Sequence, residues 1–219
     1  MFDVAIIVIN FNFENFTINL VESICENIGK EIKFQIIIVD NGSKKQSIKK
    51  LNSYLEKKRD LIPIKFITSK SNLGFGGGNT LGVKNANAEY YAFINSDVIF
   101  ESDCISSLKK FMDSKLEVAV STPNMLSIDR KPKRCFNHFI SPAYEVFGRS
   151  TLEFFNPSRF PSTKKKYNSP LRVDSVAGAF MFFRASDFKS VNGFDNNIFL
   201  YFEETDICKR LKKIGKESY

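Results

Sequence analysis

Five short, mostly apolar runs, the first four each followed by a segment with helical spacing, leave few folds open to this chain. They occupy residues 4–9, 34–39, 64–68, 90–94 and 118–121. A strand that is apolar at nearly every position, as 4–9 and 90–94 are, buries both faces, the condition met inside a parallel sheet covered by helices. Between the runs, Phe16, Leu20, Ile24 and Ile28 recur at helical spacing, as do Ile48, Leu51 and Leu55. A shorter helix is expected over 80–88, behind a group of glycines, and another over 105–112, capped by Ser102-Asp103. Regular alternation with short connections predicts an α/β protein with a mostly parallel, Rossmann-like sheet flanked by helices.

After Pro123 the pattern breaks. Residues 124–170 hold five of the seven prolines, much basic charge and little periodicity. They read as an irregular excursion over the edge of the sheet where ligands bind, since long loops inside a compact domain are usually functional. Regularity returns with strands expected over 171–176 and 179–183 and a short helix over 186–191. A turn at Asn192-Gly193 and a helix over 203–214, with Ile207 and Leu211 on one face, complete the pattern. With 219 residues the chain can bury a sizeable core as one domain.

The formal net charge of +8 gathers in clusters, among them Arg130-Lys131-Pro132-Lys133-Arg134 and Lys164-Lys165-Lys166. Solvated faces account for such clusters in general. A sharper reading is peripheral contact with anionic lipid head groups. No nucleic acid is expected, because the clusters are not interleaved with aromatics on one element and no binding motif accompanies them. The four cysteines are scattered without a Cys-x-x-Cys pair, which fits reduced thiols in a cytoplasmic protein. No apolar stretch approaches a membrane span, and the first strand has no basic lead-in of the kind a secretory signal carries.

Three polar strand ends carry acids: Asp40-Asn41-Gly42-Ser43, Asn95-Ser96-Asp97 and Glu203-Glu204-Thr205-Asp206. Ligands of α/β sheets bind beyond the carboxyl ends of the strands. An acid after a strand is commonly a turn or cap residue, but Ser102-Asp103 already supplies the next cap, which leaves Asp97 free to ligate Mg²⁺ or Mn²⁺ with Asn95 beside it. Acids in a helix's first turn are ordinary dipole partners. Delivered by the apolar 198–202 segment, however, one could be desolvated and serve as a general base. The glycine-rich Asn72 to Asn79 stretch would let backbone approach a ligand at a helix N-terminus, yet it follows the third strand and so departs from the dinucleotide fingerprint. The single His138 reads as a packing or surface residue.

Taken in order, residues 4–12, 37–43, 72–79, 95–97 and 176–206 resemble the family 2 inverting glycosyltransferases of GT-A fold, especially their rhamnosyltransferase-like branch. The resemblance implies a nucleotide-binding half over 1–122, the excursion over 123–170 and an acceptor-binding, catalytic part over 171–219. It implies that Asp40 and Asn10 bind the nucleoside, that Asn72 and Asn95 contact the donor, and that Asp97 holds the metal. Gly178 and Ala179 would line the sugar and acceptor site. Glu204 would be the catalytic base, with Glu203 and Asp206 as alternatives. The implied partners are a nucleotide-diphosphate sugar and a saccharide or lipid-linked saccharide acceptor, at the inner face of the membrane. Family members continue beyond this helix with a further strand and a segment that can supply a metal-binding His, so the chain is expected to be a fragment. Two other classes use the same features: a nucleotidyltransferase, and a truncated domain that binds a nucleotide or partner without turnover.

Overall fold

The computed structural model describes residues 1–219. Its centre is a seven-stranded sheet. The first half alternates as the periodicity requires: β1 (Phe2–Asn10), α1 (Glu14–Asn27), β2 (Phe34–Asp40), α2 (Lys45–Glu56), β3 (Ile64–Thr68), α3 (Gly74–Val83), β4 (Ala88–Asn95), α4 (Cys104–Asp113) and β5 (Val118–Ser121). The excursion carries three two-residue strands, β6 (Met125–Leu126), β7 (Pro132–Lys133) and β8 (Phe136–Asn137), then two short helices, α5 (Pro142–Phe147) and α6 (Arg149–Phe155). The remaining elements are β9 (Ser175–Val176), β10 (Phe180–Arg184), α7 (Ala185–Ser190), α8 (Glu203–Lys213) and β11 (Glu217–Ser218).

Across the sheet the order is β11-β5-β10-β4-β1-β2-β3. β1 pairs in parallel with β2 and β4, and β2 with β3. Within this sheet β10 alone runs antiparallel, wedged between β4 and β5. The strand alternation sorts the core into two layers. Val4, Ile6 and Val8 face one layer with Leu20, Ile24, Leu51 and Ile105, while Ala5 and Ile7 face the other with Phe188, Ile207 and Leu211. Each large apolar side chain contributes roughly 1.5–3 kcal/mol on burial, which is why fully apolar strands sit in the middle of the sheet. Asp103 caps α4, its Oδ1 accepting from the Ser106 N–H at 2.9 Å.

Three details differ from the sequence reading. The helix expected over 80–88 begins earlier, so the glycines lie inside α3 instead of ahead of it. The strand expected over 171–176 shortens to β9, with Val173 making an isolated bridge to Ser218. β11, invisible in the sequence, adds a parallel edge strand beside β5. All four cysteines are free thiols, and no helix is long and apolar enough to cross a membrane.

Candidate active site

The carboxyl ends of β2, β1 and β4 lie side by side, because Asn10 stands in register with Asp40 and Ile9 with Asn95. Since β10 runs the other way, its start, not its end, meets this edge. The Asn95 N–H donates to the Ala179 carbonyl at 3.0 Å, so Gly178-Ala179 adjoins the Asn95-Ser96-Asp97 turn. Asp97, at the tip of that turn, is exposed.

The acids opening α8 divide by helix phase. Glu203 turns inward and is only 3% exposed, and its Oε1 has no hydrogen-bond partner. Burial, reinforced by the neighbouring Glu204 charge, pushes its carboxyl above the ordinary glutamate range. Glu204 faces the edge instead: its Oε2 lies 3.9 Å from where a Cβ would stand on Gly178. Asp206 accepts from Arg210 Nε at 2.8 Å in an i,i+4 pair within α8. The desolvated acid anticipated from the apolar lead-in is therefore Glu203, whereas Glu204 is the acid that meets the small-residue segment.

What aims these acids is a strained turn. Tyr201 and Phe202 both adopt positive φ, 71° and 72°, a region costly for residues with a Cβ. Phe199, ahead of them, is clamped by α3: the Phe75 N–H donates to the Phe199 carbonyl at 3.0 Å. A Cβ on Gly74, itself at φ 73°, would meet that same carbonyl, and one on Gly76 would come within 3.3 Å of Phe194. Gly74 and Gly76 thus bring α3 against the 194–199 segment, and the Phe75 amide of its first turn is spent on protein.

Asn10 and Asp40, expected to bind the nucleoside, stand in register at the β1 and β2 ends that form this edge. Both are fully buried. Asn10 Nδ2 donates to Asp40 Oδ2 at 2.7 Å, the Ser43 N–H donates to Asp40 Oδ1 at 2.9 Å, and Thr17 Oγ1 donates to Asn10 Oδ1 at 3.0 Å. Every polar side-chain atom of the pair is matched inside the protein, so they fix the β1 and β2 ends from behind. Asn41, also buried, continues the network by donating to Asn72 Oδ1 at 2.9 Å and to the Gly74 carbonyl at 3.0 Å. Asn72 stays exposed at the rim, and Phe11, 40% exposed at the end of β1, adds an aromatic face that sequence reasoning missed. An exposed Phe at a strand end is a readable signal only once the sheet edge is known.

No group of three acidic, His or Cys side chains stands ready to hold a cation by itself. One exposed carboxylate, Asp97, beside an open edge fits a hard divalent ion that takes most of its ligands from a phosphate-bearing substrate. His138 is buried against the Phe136 and Phe160 rings, with Nε2 3.1 Å from the Pro161 carbonyl, and burial lowers its pKa, as befits a packing residue. Two cavities of 420 and 320 Å³ are lined mainly by the excursion and the C-terminal residues and do not include Asp97 or Glu204.

Comparison with known proteins points the same way. The chain is 33% identical over 149 residues to rhamnosyltransferase WbbL of Escherichia coli K12, a match covering 65% of this chain and 55% of the relative. Its fold superposes on GalNAc-T7, solved with UDP, GalNAc and Mn²⁺, at a TM-score of 0.71 and 13% identity, covering all of this chain and 42% of that one. It also superposes on mannosyltransferase PcManGT of Pyrobaculum calidifontis, solved with GDP-Man and Mn²⁺, at 0.65 and 13% identity, covering all of this chain and 56% of that one. The chain thus spans about half the length of these proteins. The fold is GT-A, as the resemblance implied. The glycosyl transferase family 2 profile matches residues 5–191, most of the chain, and to that family the chain belongs.

Proposed function

We propose that this chain is the catalytic domain of an inverting glycosyltransferase that moves a sugar from a nucleotide-diphosphate sugar to an acceptor hydroxyl. The observation that carries the reading is Glu204 standing over Gly178 beside the Asn95–Asp97 turn. In the single displacement, the acceptor oxygen attacks the anomeric carbon and its proton passes to the Glu204 carboxylate. The bond to the diphosphate oxygen breaks on the opposite face, and configuration inverts. Asn72 and Asn95 bind the donor, and Gly178 and Ala179 leave room for the sugar and acceptor at the sheet edge. Asn10 and Asp40 act as positioning residues behind that surface. Asp97, with the donor phosphates, would hold Mg²⁺ or Mn²⁺, which supplies neutralisation of the charge on the leaving group, an effect worth several kcal/mol.

Glu203 is not assigned the base because its carboxyl group points into the core, nor Asp206 because Arg210 holds it. Similarity to the low-salt glycan biosynthesis hexosyltransferase Agl10 of Haloferax volcanii, 24% identical over 215 residues, favours a polysaccharide- or glycan-building role, and the free thiols support a cytoplasmic site of action. A saccharide acceptor, carried on a lipid at the inner membrane face, suits the basic surface. Glu204→Gln tests the assignment. Transfer should fall by about 10²–10⁴ while donor affinity by calorimetry stays within a factor of about two, the signature of losing a general base. Unchanged turnover would remove Glu204 from the mechanism.

A further inference from the structure

α5 and α6, joined through Gly148, bury none of their own residues. Val146, Phe147, Phe154 and Phe155 stand out from them at 74, 59, 77 and 78% exposure, and the last two rings pack edge to face, 5.1 Å apart. Adjacent exposed phenyl groups on a protein surface mark a contact made with something else. The exposure is not that of a loose segment, because α6 is tied down by Glu153, whose side chain is only 10% exposed. Glu153 accepts from the Thr163 N–H at 3.2 Å and from Thr163 Oγ1 at 3.1 Å, and pairs with Arg149 at 3.7 Å. The anchor that turns the rings outward also holds the base of the exposed run Lys164-Lys165-Lys166, which leaves directly from Thr163. Arg149 and Arg159 are matched by Glu153 and Asp174, whereas these three lysines have no carboxylate partner.

We infer that α5 and α6, together with Lys164, Lys165 and Lys166, form a docking face for an anionic phospholipid bilayer. The rings enter the boundary between head groups and acyl chains, and the lysines meet lipid phosphates, the division of labour of an interfacial anchor. An uncharged apolar partner would leave the unmatched lysines idle; a purely acidic one would leave the rings in water. The face is also well placed. The excursion is tied to the chain just before Gly178 by a separate two-stranded ladder, in which Phe136 pairs with Val176 and the Ala177 N–H donates to the Cys135 carbonyl. On the transferase reading, an acceptor held in that bilayer would meet the excursion that leads into Gly178. Bilayer binding itself does not rest on that reading.

Sedimentation with vesicles tests it, using phosphatidylcholine alone and phosphatidylcholine mixed with phosphatidylglycerol at low salt. Wild type should bind the mixed vesicles and not the neutral ones. K164Q/K165Q/K166Q should lower the partition coefficient on the order of a hundredfold, since each lysine near an anionic surface is worth about a factor of five. F154S/F155S should lower it by about tenfold or more, with thermal stability kept because both rings are already in water. Failure of wild type to bind mixed vesicles, or equal binding by F154S/F155S, overturns the inference. So does concentration-dependent self-association that F154S/F155S abolishes while vesicle binding is absent, which would give the face to a second copy. Donor hydrolysis in vesicle-free solution reads sugar transfer alone, so either reading can fail without the other.

Discussion

Three carboxylates in four positions, Glu203, Glu204 and Asp206, meet three fates because each points a different way from the first turn of α8. The sequence announces the acid run and its apolar lead-in but not the helix phase, which is set by the two left-handed residues before it. Glu203 carries a testable consequence. Burial raises its carboxyl above the ordinary 4.5, so the folded state holds that proton more tightly than the unfolded chain. Stability from this group is therefore full below pH 4.5 and is lost as pH rises through the raised value. Glu203→Gln should abolish this loss, making the variant more stable than wild type at neutral pH by on the order of 1 kcal/mol and no more stable at pH 4, read by urea unfolding at both. A second residue-scale test concerns Asp40. If it serves as an internal clamp, Asp40→Ala should cost about 2–4 kcal/mol by leaving the Asn10 amide and the Ser43 N–H unmatched. Unchanged stability with weakened nucleotide binding would return Asp40 to the direct-contact role that its place in the sequence motif implies.

At the scale of elements, α3 shows how much of a glycine-rich motif is taken up by packing against the protein itself. Glycines at 74, 76, 77, 78 and 82 signal close approach, and the sequence shows that much. What is approached depends on tertiary neighbours: Phe199, Phe194 and Asn41 at the helix start, and Ile7 at Gly82, where a Cβ would lie 2.5 Å from the Ile7 methyl. Gly74→Ala meets both objections at once, a positive φ and a backbone carbonyl that cannot swing aside. It should destabilise the chain by about 2–3 kcal/mol and, by pushing Phe199 off α3, displace the turn that aims Glu204. Gly82→Ala should cost a similar 1–3 kcal/mol or so from overpacking against β1, but it lies away from the acids. Paired thermal melts and transfer assays separate them: at matched stability loss, only Gly74→Ala should lower kcat. Equal kcat losses would deny the α3 clamp any part in placing the base.

For the whole molecule, the alternation of apolar runs was enough to read the sheet, its flanking helices and the break after Pro123, because buried parallel strands leave a continuous apolar signature. The reversal of β10 was not legible. Its apolar residues fill both faces of the strand whichever way it runs, and direction is decided by the excursion that delivers it. Yet that reversal carries Gly178 and Ala179 to the edge where Asn95 ends, and so assembles the site. It also bears on how metal and donor should act together. No group of three acidic, His or Cys side chains is brought together to hold an ion, and the two core layers are apolar. Chelation with EDTA should leave the melting temperature unchanged, and Mn²⁺ alone should raise it little. A nucleoside diphosphate and Mn²⁺ together should raise it if, as proposed, Asp97 and the donor phosphates hold the ion between them. Saturation to a hundred times Kd stabilises by about 2.7 kcal/mol, a rise of roughly 5–10 °C for a chain of this size. Asp97→Ala should abolish the joint shift while leaving the melting temperature of the free chain in place, since the side chain is exposed. A drop on chelation would mean that a cation is already built into the folded chain, and an undiminished joint shift in Asp97→Ala would move the ion to another residue.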